Sequence, residues 1–250
     1  MTSCRRSVLI TTFCLLTISA AHAAGWVSAN ERLVEATYAG DLAGYRKAIE
    51  AGAWVTTRDD GGNGLAAIAA AMGQGDILRD LIQSGAPVDG VGNLGDSALG
   101  FACAYGDTAM IAALLNANAD VAKADVKGDT PLVEAILSGN PKAVELMLGK
   151  GQADPNQSSG ELRMTPLMIA AKNGHAEIIR VLLDRRADLE RRDFLGETAL
   201  YWAIHENKKE VVEVLRASGA NLNDVISGHS ALQVAIGEDQ EEIAEYLRNY

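Results

Sequence analysis

The chain has 250 residues, of which 48% are hydrophobic and only 5% aromatic, and its formal net charge at pH 7 is −11. So few aromatic residues argue against a core of large rings and favour closely spaced helices packed through small side chains. The negative charge would repel phosphate backbones and anionic membrane surfaces, so nucleic acid is not an expected partner.

The first 23 residues have the pattern of a secretory signal peptide. Arg5 and Arg6 are followed by an apolar run over residues 8–18 and by the Ala-His-Ala site of residues 21–23, which signal peptidase accepts. The run has 11 residues, whereas a helix needs roughly 20 apolar residues to cross a bilayer. We therefore expect cleavage after Ala23 rather than an uncleaved N-terminal anchor, and no membrane insertion after cleavage.

Cleavage would leave Cys103 as the one cysteine of the mature chain and would change the net charge from −11 to −13, because two arginines are lost. One thiol cannot form an internal disulfide, so the exported domain has to be stable without one. Cys4 lies too early for a lipoprotein anchor, and Cys14 lies inside the apolar run. The expected location is the periplasm of a Gram-negative bacterium, with secretion as the alternative.

An apolar position recurs along the rest of the chain at nearly constant spacing. It is occupied by Leu33, Ala66, Leu99, Leu132, Leu167, Leu200 and Leu232, at intervals of 33, 33, 33, 35, 33 and 32 residues. Alanine always follows three residues later, at Ala36, Ala69, Ala102, Ala135, Ala170, Ala203 and Ala235. Four residues further on stand Gly40, Gly73, Gly106, Gly139, Gly174, Asn207 and Asp239.

Each repeat therefore predicts a pair of short helices. The apolar residue and the alanine lie on one face of the first helix, and the glycine ends it where a left-handed backbone is wanted. A second helix follows, as at residues 178–183, with apolar residues at helical spacing. A Gly-Ala motif then ends the second helix and opens an extended turn.

These residues resemble the ankyrin-repeat family. The best match is the run Thr165-Pro166-Leu167 to Gly174-His175, followed by Leu182-Leu183 and Ala187-Asp188. The resemblance covers residues 28–250 and implies an all-α fold, an ankyrin-repeat solenoid of about seven helix-turn-helix repeats with β-hairpin-like fingers. After the signal peptide at 1–23, it implies one domain at 24–250, with units at about 28–58, 59–91, 92–124, 125–159, 160–192, 193–224 and 225–250.

Two extra residues lengthen one finger, and the segment 152–160, rich in Ser, Gly, Asn and Gln, predicts a mobile surface loop. Its sequon, Asn156-Gln157-Ser158, would accept a glycan if the protein were a secreted eukaryotic effector. A single sequon arises easily by chance, so the bacterial interpretation is preferred.

The residues that could carry chemistry favour structural roles. His175, His205 and His229 show no i, i+4 pair of the kind that binds zinc on a helix, so no metal site is expected. Cys103 stands at an alanine position and is expected to be buried. The aspartates Asp59, Asp125 and Asp193 open turns and are expected to cap backbone amides. Asp193 with Glu197 would otherwise suggest an acid/base pair.

We therefore expect a protein–protein interaction module of the periplasm, a scaffold or regulator of another exported protein. It would be a monomer without cofactor or enzymatic activity. The first alternative is an immunity or inhibitor protein whose acidic surface blocks a basic toxin or hydrolase. The second alternative is an enzyme or metal-handling protein with a site on the groove.

In ankyrin proteins the first helices and the fingers form a concave face, and the resemblance implies which residues lie there. The candidate partner-binding residues are Tyr38, Met72, Leu94, Tyr105, Leu137, Met164, Lys172, Phe194, Leu195, His205 and Glu206. The apolar members predict an exposed stripe, which is typical of an interaction site, with Tyr105 and Phe194 as the best anchors.

The signal peptide predicts an N-terminus at Ala24 for the native protein, to be checked by intact-mass measurement. An Ala23→Leu variant should be processed poorly, because signal peptidase requires a small residue there. A native mass that still includes residues 1–23 would contradict this expectation.

Overall fold

The computed structural model describes residues 28–92, 95–223 and 229–249. These residues form fourteen α-helices and no strand. The helices are α1 (Ala29–Ala39), α2 (Leu42–Glu50), α3 (Leu65–Ala71), α4 (Gly75–Gln83), α5 (Ala98–Ala104), α6 (Thr108–Asn116), α7 (Pro131–Leu137), α8 (Pro141–Gly149), α9 (Pro166–Asn173), α10 (Ala176–Asp184), α11 (Ala199–His205), α12 (Lys209–Ala217), α13 (Ala231–Gly237) and α14 (Glu241–Arg248).

The helices confirm the prediction of an all-α fold of seven helix pairs. The expected fingers are irregular turns, two of which contain an isolated antiparallel bridge, Arg58 with Gly64 and Ser159 with Met164. No helix within the described ranges is long and apolar enough to cross a membrane. The predicted signal peptide and the candidate residue Leu94 lie outside the described residues.

Side-chain caps start the first helix of most pairs. The Thr165 hydroxyl accepts a hydrogen bond from the Met168 amide at 3.3 Å, and Pro166 occupies the first helical position, where its missing amide costs nothing. The C-terminal end of each first helix needs a residue whose backbone adopts the left-handed conformation. Asn207, with a φ of 54°, takes the place that glycine fills in earlier repeats, as the sequence predicted.

The chain divides into two compact units between Val126 and Lys127. The first unit contains α1–α6 and the second α7–α14. Within each unit the first helices of successive pairs pack against one another, and so do the second helices. The repeated alanine makes this packing possible: Ala135, Ala170 and Ala203 are fully buried.

Side chains also join the turns that follow successive helix pairs. Asn156 Oδ1 accepts a hydrogen bond from the Asp188 amide at 2.7 Å, and Glu190 accepts one from the Asn221 amide at 2.9 Å. Asn156 Nδ2 in addition lies 3.2 Å from the Arg186 carbonyl oxygen, to which it donates. These hydrogen bonds tie Asn156 of segment 152–160 to the turn of the following repeat.

Replacing Leu132 by alanine should lower the free energy of unfolding by about 2–5 kcal/mol, because Leu132 is 2% exposed and its loss leaves a cavity. The matched control is Leu137→Ala in the same helix, where 45% of the residue is exposed. This control should cost about 0.5 kcal/mol or less. Equal losses for the two variants in denaturant titration would contradict the packing described here.

Candidate interaction surface

In the first unit the candidate residues are partly covered. The Tyr38 hydroxyl donates to the Asp59 carboxylate, and Met72 is half-buried. Tyr105 is 44% exposed, and its hydroxyl lies 3.1 Å from the Ala71 carbonyl oxygen, to which it donates. Tyr105 is therefore partly exposed, while its hydroxyl is tied to the preceding repeat.

In the second unit the candidates separate into exposed and buried residues. Leu137, Phe194 and Leu195 are exposed, Phe194 to 72%. The placement of Met164 on the exposed stripe is wrong, because Met164 is only 9% exposed. Ser159 and Met164 exchange two backbone hydrogen bonds, which puts Met164 at the base of its finger rather than at the tip.

Asp193 fixes the finger that carries Phe194 and Leu195. Its Oδ1 accepts hydrogen bonds from the amides of Leu195 and Glu197, both at 2.9 Å, and its Oδ2 accepts one from Trp202 Nε1 at 3.0 Å. The Phe194 amide donates to a carbonyl of the adjacent finger at 2.8 Å. The prediction that Asp193 caps a turn is confirmed, and the two exposed apolar side chains stand on a braced backbone.

Three aromatic side chains of α11 lie beside this finger and form what we call the aromatic cluster: Tyr201, Trp202 and His205. The Tyr201 and His205 rings stack with centroids 5.9 Å apart, and Trp202 meets His205 edge-on at the same distance. Lys172 of α9 places its Nζ 4.3 Å from the centre of the Trp202 ring, a cation–π contact.

Carboxylates surround the aromatic cluster. Glu206 Oε1 lies 4.0 Å from Lys172 Nζ, and Glu238 Oε1 lies 2.8 Å from His205 Nδ1. These four side chains are each between 36% and 42% exposed, so they form a polar rim. The candidates Lys172, His205 and Glu206 are thus brought together in one place.

Glu197 is buried, like Asp193 of the same finger: it is 9% exposed and Asp193 is 8% exposed. Burial raises the pKa of its carboxyl, and the negative charge of Asp193 raises it further. The Tyr201 hydroxyl, to which it is hydrogen-bonded, and the charges of His205 and Lys172 act in the opposite direction. Its Oε2 atom has no hydrogen-bond partner among the described residues.

The side chains that could carry chemistry are engaged elsewhere. Cys103 is fully buried, as predicted. His175 packs against Gly139 of the preceding repeat, and burial together with the positive charge of Lys208 lowers the pKa of its imidazole. Cys103 and His175 are therefore not the exposed nucleophile and base that covalent catalysis requires, and His205 Nδ1 is in contact with Glu238.

Sequence reasoning did not single out Trp202, Glu238 or the burial of Glu197. The spacing of Tyr201 and His205 offered a signal, because residues four apart on a helix lie on one face. The contacts of Trp202 with Asp193 and of His205 with Glu238 join different segments, and no local pattern indicates them.

Replacing Glu197 by glutamine should stabilise the protein at pH 7 by about 1 kcal/mol, because a buried carboxylate without a full set of partners is costly. A pKa above its ordinary value of 4.5 means that the native state binds the proton more tightly than the unfolded chain. The penalty of the wild type therefore grows as pH rises through and above 4.5 and disappears at lower pH.

The measurement is the difference in unfolding free energy between Glu197→Gln and wild type, taken by urea titration across this pH range. Glu161→Gln is the control, because Glu161 is exposed in the same unit. Its difference from wild type should stay within about 0.5 kcal/mol at every pH. Identical pH profiles for the two variants would contradict the assignment.

Known proteins share this repeat. A family model for ankyrin repeats matches three stretches of the chain, 66–159, 152–226 and 196–250. Tyrosine-protein kinase HTK16 of Hydra vulgaris is 34% identical over 119 residues, which are 48% of this chain and 16% of that protein. Ankyrin repeat and SOCS box protein 16 of Homo sapiens is 36% identical over 152 residues, 60% of this chain and 33% of that protein. The chain therefore spans at most about a third of the length of these relatives.

Two solved structures have the same fold. The ankyrin repeat domain of human ASB11 superposes with a TM-score of 0.77 at 26% identity, covering 87% of this chain and 96% of that one. The ankyrin repeat domain of Bcl-3 gives the same TM-score at 21% identity, covering 89% of this chain and 100% of that one. The family model matches well over half of the sequence, and the helix pairs stack as in these domains. This chain belongs to the ankyrin-repeat family.

Proposed function

We propose that this protein is a periplasmic interaction module that binds another exported protein and acts as its scaffold or regulator. Ankyrin repeats bind other proteins in general and are typically not catalytic. The signal-peptide pattern of the first 23 residues supports export. The binding surface would be the finger with Phe194 and Leu195 together with the aromatic cluster and its rim.

The exposure of Phe194 carries this proposal. Phe194 is 72% and Leu195 53% exposed, although both stand on a backbone that Asp193 holds in place. A large apolar pair on a rigid support loses little conformational entropy when a partner covers it. The polar rim of Lys172 and Glu206 beside it matches the usual anatomy of an interface, in which apolar anchors are surrounded by polar groups.

Two other functions remain as alternatives. An immunity or inhibitor protein would use the same surface, and the net charge of −13 of the mature chain (20 basic against 33 acidic residues) would favour a basic toxin or hydrolase as its target. An enzyme would need an exposed nucleophile beside a base, whereas Cys103 is buried, His175 packs against Gly139 and His205 contacts Glu238.

The test is capture of partners from a periplasmic extract of the source organism by the immobilised mature chain, quantified by mass spectrometry. Replacing Phe194 and Leu195 by serine should weaken capture about 30-fold, because truncating one interface hot spot costs roughly 2 kcal/mol. Trp54→Ser is the matched control, since Trp54 is 70% exposed but belongs to the first unit.

Circular dichroism and urea titration would establish that the variants keep the fold. If the Phe194 and Leu195 double variant captured the same partners as wild type, the proposed surface would be wrong. If Trp54→Ser alone reduced capture, the binding surface would lie in the first unit.

A further inference from the structure

The surroundings of the aromatic cluster carry an excess of negative charge. Four carboxylates lie there, those of Asp193, Glu197, Glu206 and Glu238, and the lysine and arginine side chains near them are Lys172 and, on the finger itself, Arg192, which donates to the Gly196 carbonyl oxygen. Carboxylates beneath the surface are screened less by solvent and salt than exposed ones, so their potential reaches the rim.

Two acceptor atoms in this region are buried without a hydrogen-bond partner among the described residues, Oε2 of Glu197 and Oε1 of Gln240. Glu197 is 9% and Gln240 8% exposed, so each residue reaches the surface only by a small part. Gln240 contacts the aromatic cluster, because its Nε2 lies 3.5 Å from the carbonyl oxygen of His205. A native fold leaves few buried acceptors unpaired, so a donor from outside the chain would complete each of them.

Lys172 shows what this surface attracts. Its ammonium group contacts the Trp202 ring at 4.3 Å and reaches Glu206 only at 4.0 Å, the limit of an ion pair, while 39% of its side chain is exposed. Lys172 and Arg192 together leave part of the surrounding negative charge uncompensated. A cation with several hydrogen-bond donors would fit the remaining carboxylates and unpaired acceptors better than a neutral side chain would.

We infer that the partner inserts a basic side chain, an arginine in preference to a lysine, between Glu197, Glu206 and Glu238, next to an apolar residue that covers Phe194. The inference rests on the proposed function and specifies the chemistry of the segment bound. Phe194 and Glu197 lie three residues apart on one finger, so a single short stretch of the partner can reach both. Arginine suits the site because its planar guanidinium offers five donors to carboxylates.

Random peptides displayed on phage, selected against the immobilised mature chain, supply the probe. The selected peptides should be enriched in an arginine or lysine adjacent to an aromatic or aliphatic residue. The best peptide would then be synthesised with its arginine and with alanine in that place. Wild type should bind the arginine peptide at least 10-fold more tightly than the alanine peptide.

The Glu197→Gln, Glu238→Gln double variant should reduce that preference to less than 3-fold, which is the coupling that a direct contact produces. The control is Glu145→Gln with Glu161→Gln, which removes the same charge from exposed positions of the same unit. This control variant should keep the full preference for the arginine peptide. If net charge acted only at long range, the preference would fall equally in both double variants.

Enrichment of acidic peptides, or a preference for arginine that survives in the Glu197 and Glu238 variant, would overturn the inference. If binding still depended on Phe194 in that case, the proposed surface would stand, and only its preference for a basic side chain of the partner would be wrong. Peptides that bind independently of Phe194, or a selection without any peptide above background, would count against both.

Discussion

Within each compact unit, the first helices of successive repeats approach one another through alanine side chains that retain almost no exposed surface. This approach sets the distance between repeats, and the rest of the structure depends on it. A larger residue at Ala170 or Ala203 would separate α9 from α11 and would break the contact between Lys172 and the Trp202 ring. The ends of the first helices escape this constraint: the Lys172 side chain in α9 is 39% exposed and the His205 side chain in α11 is 42% exposed.

The helix pairs could be predicted from the sequence because their determinants are local. A leucine, an alanine three residues later and a glycine or asparagine at the turn fix the first helix by periodicity and backbone conformation, and Asn207 at a φ of 54° shows that even the exception was predictable. Asp193 was predictable for the same reason, since its main hydrogen bonds lie within four residues.

The errors at the candidate surface have a common origin. Met164 was expected on the exposed stripe, but it exchanges two backbone hydrogen bonds with Ser159 and is only 9% exposed. The burial of Glu197 was not predicted, and it accompanies the hydrogen bond from Trp202 to Asp193, which holds the finger against α11. Both outcomes depend on how a finger lies on a helix, which no repeat pattern encodes.

The side-chain links between successive turns restrict how such a molecule can evolve. The Asn156 side chain accepts a hydrogen bond from the amide of Asp188, 32 residues later. The Glu190 side chain accepts one from the amide of Asn221, 31 residues later. A gain or loss of a few residues between acceptor and amide would break a link, whereas duplication or deletion of a complete repeat regenerates it. The architecture therefore favours change by the duplication or deletion of whole repeats. The tip of a finger, such as that of Phe194, can instead change by single substitutions that leave the hydrogen bonds between successive turns intact.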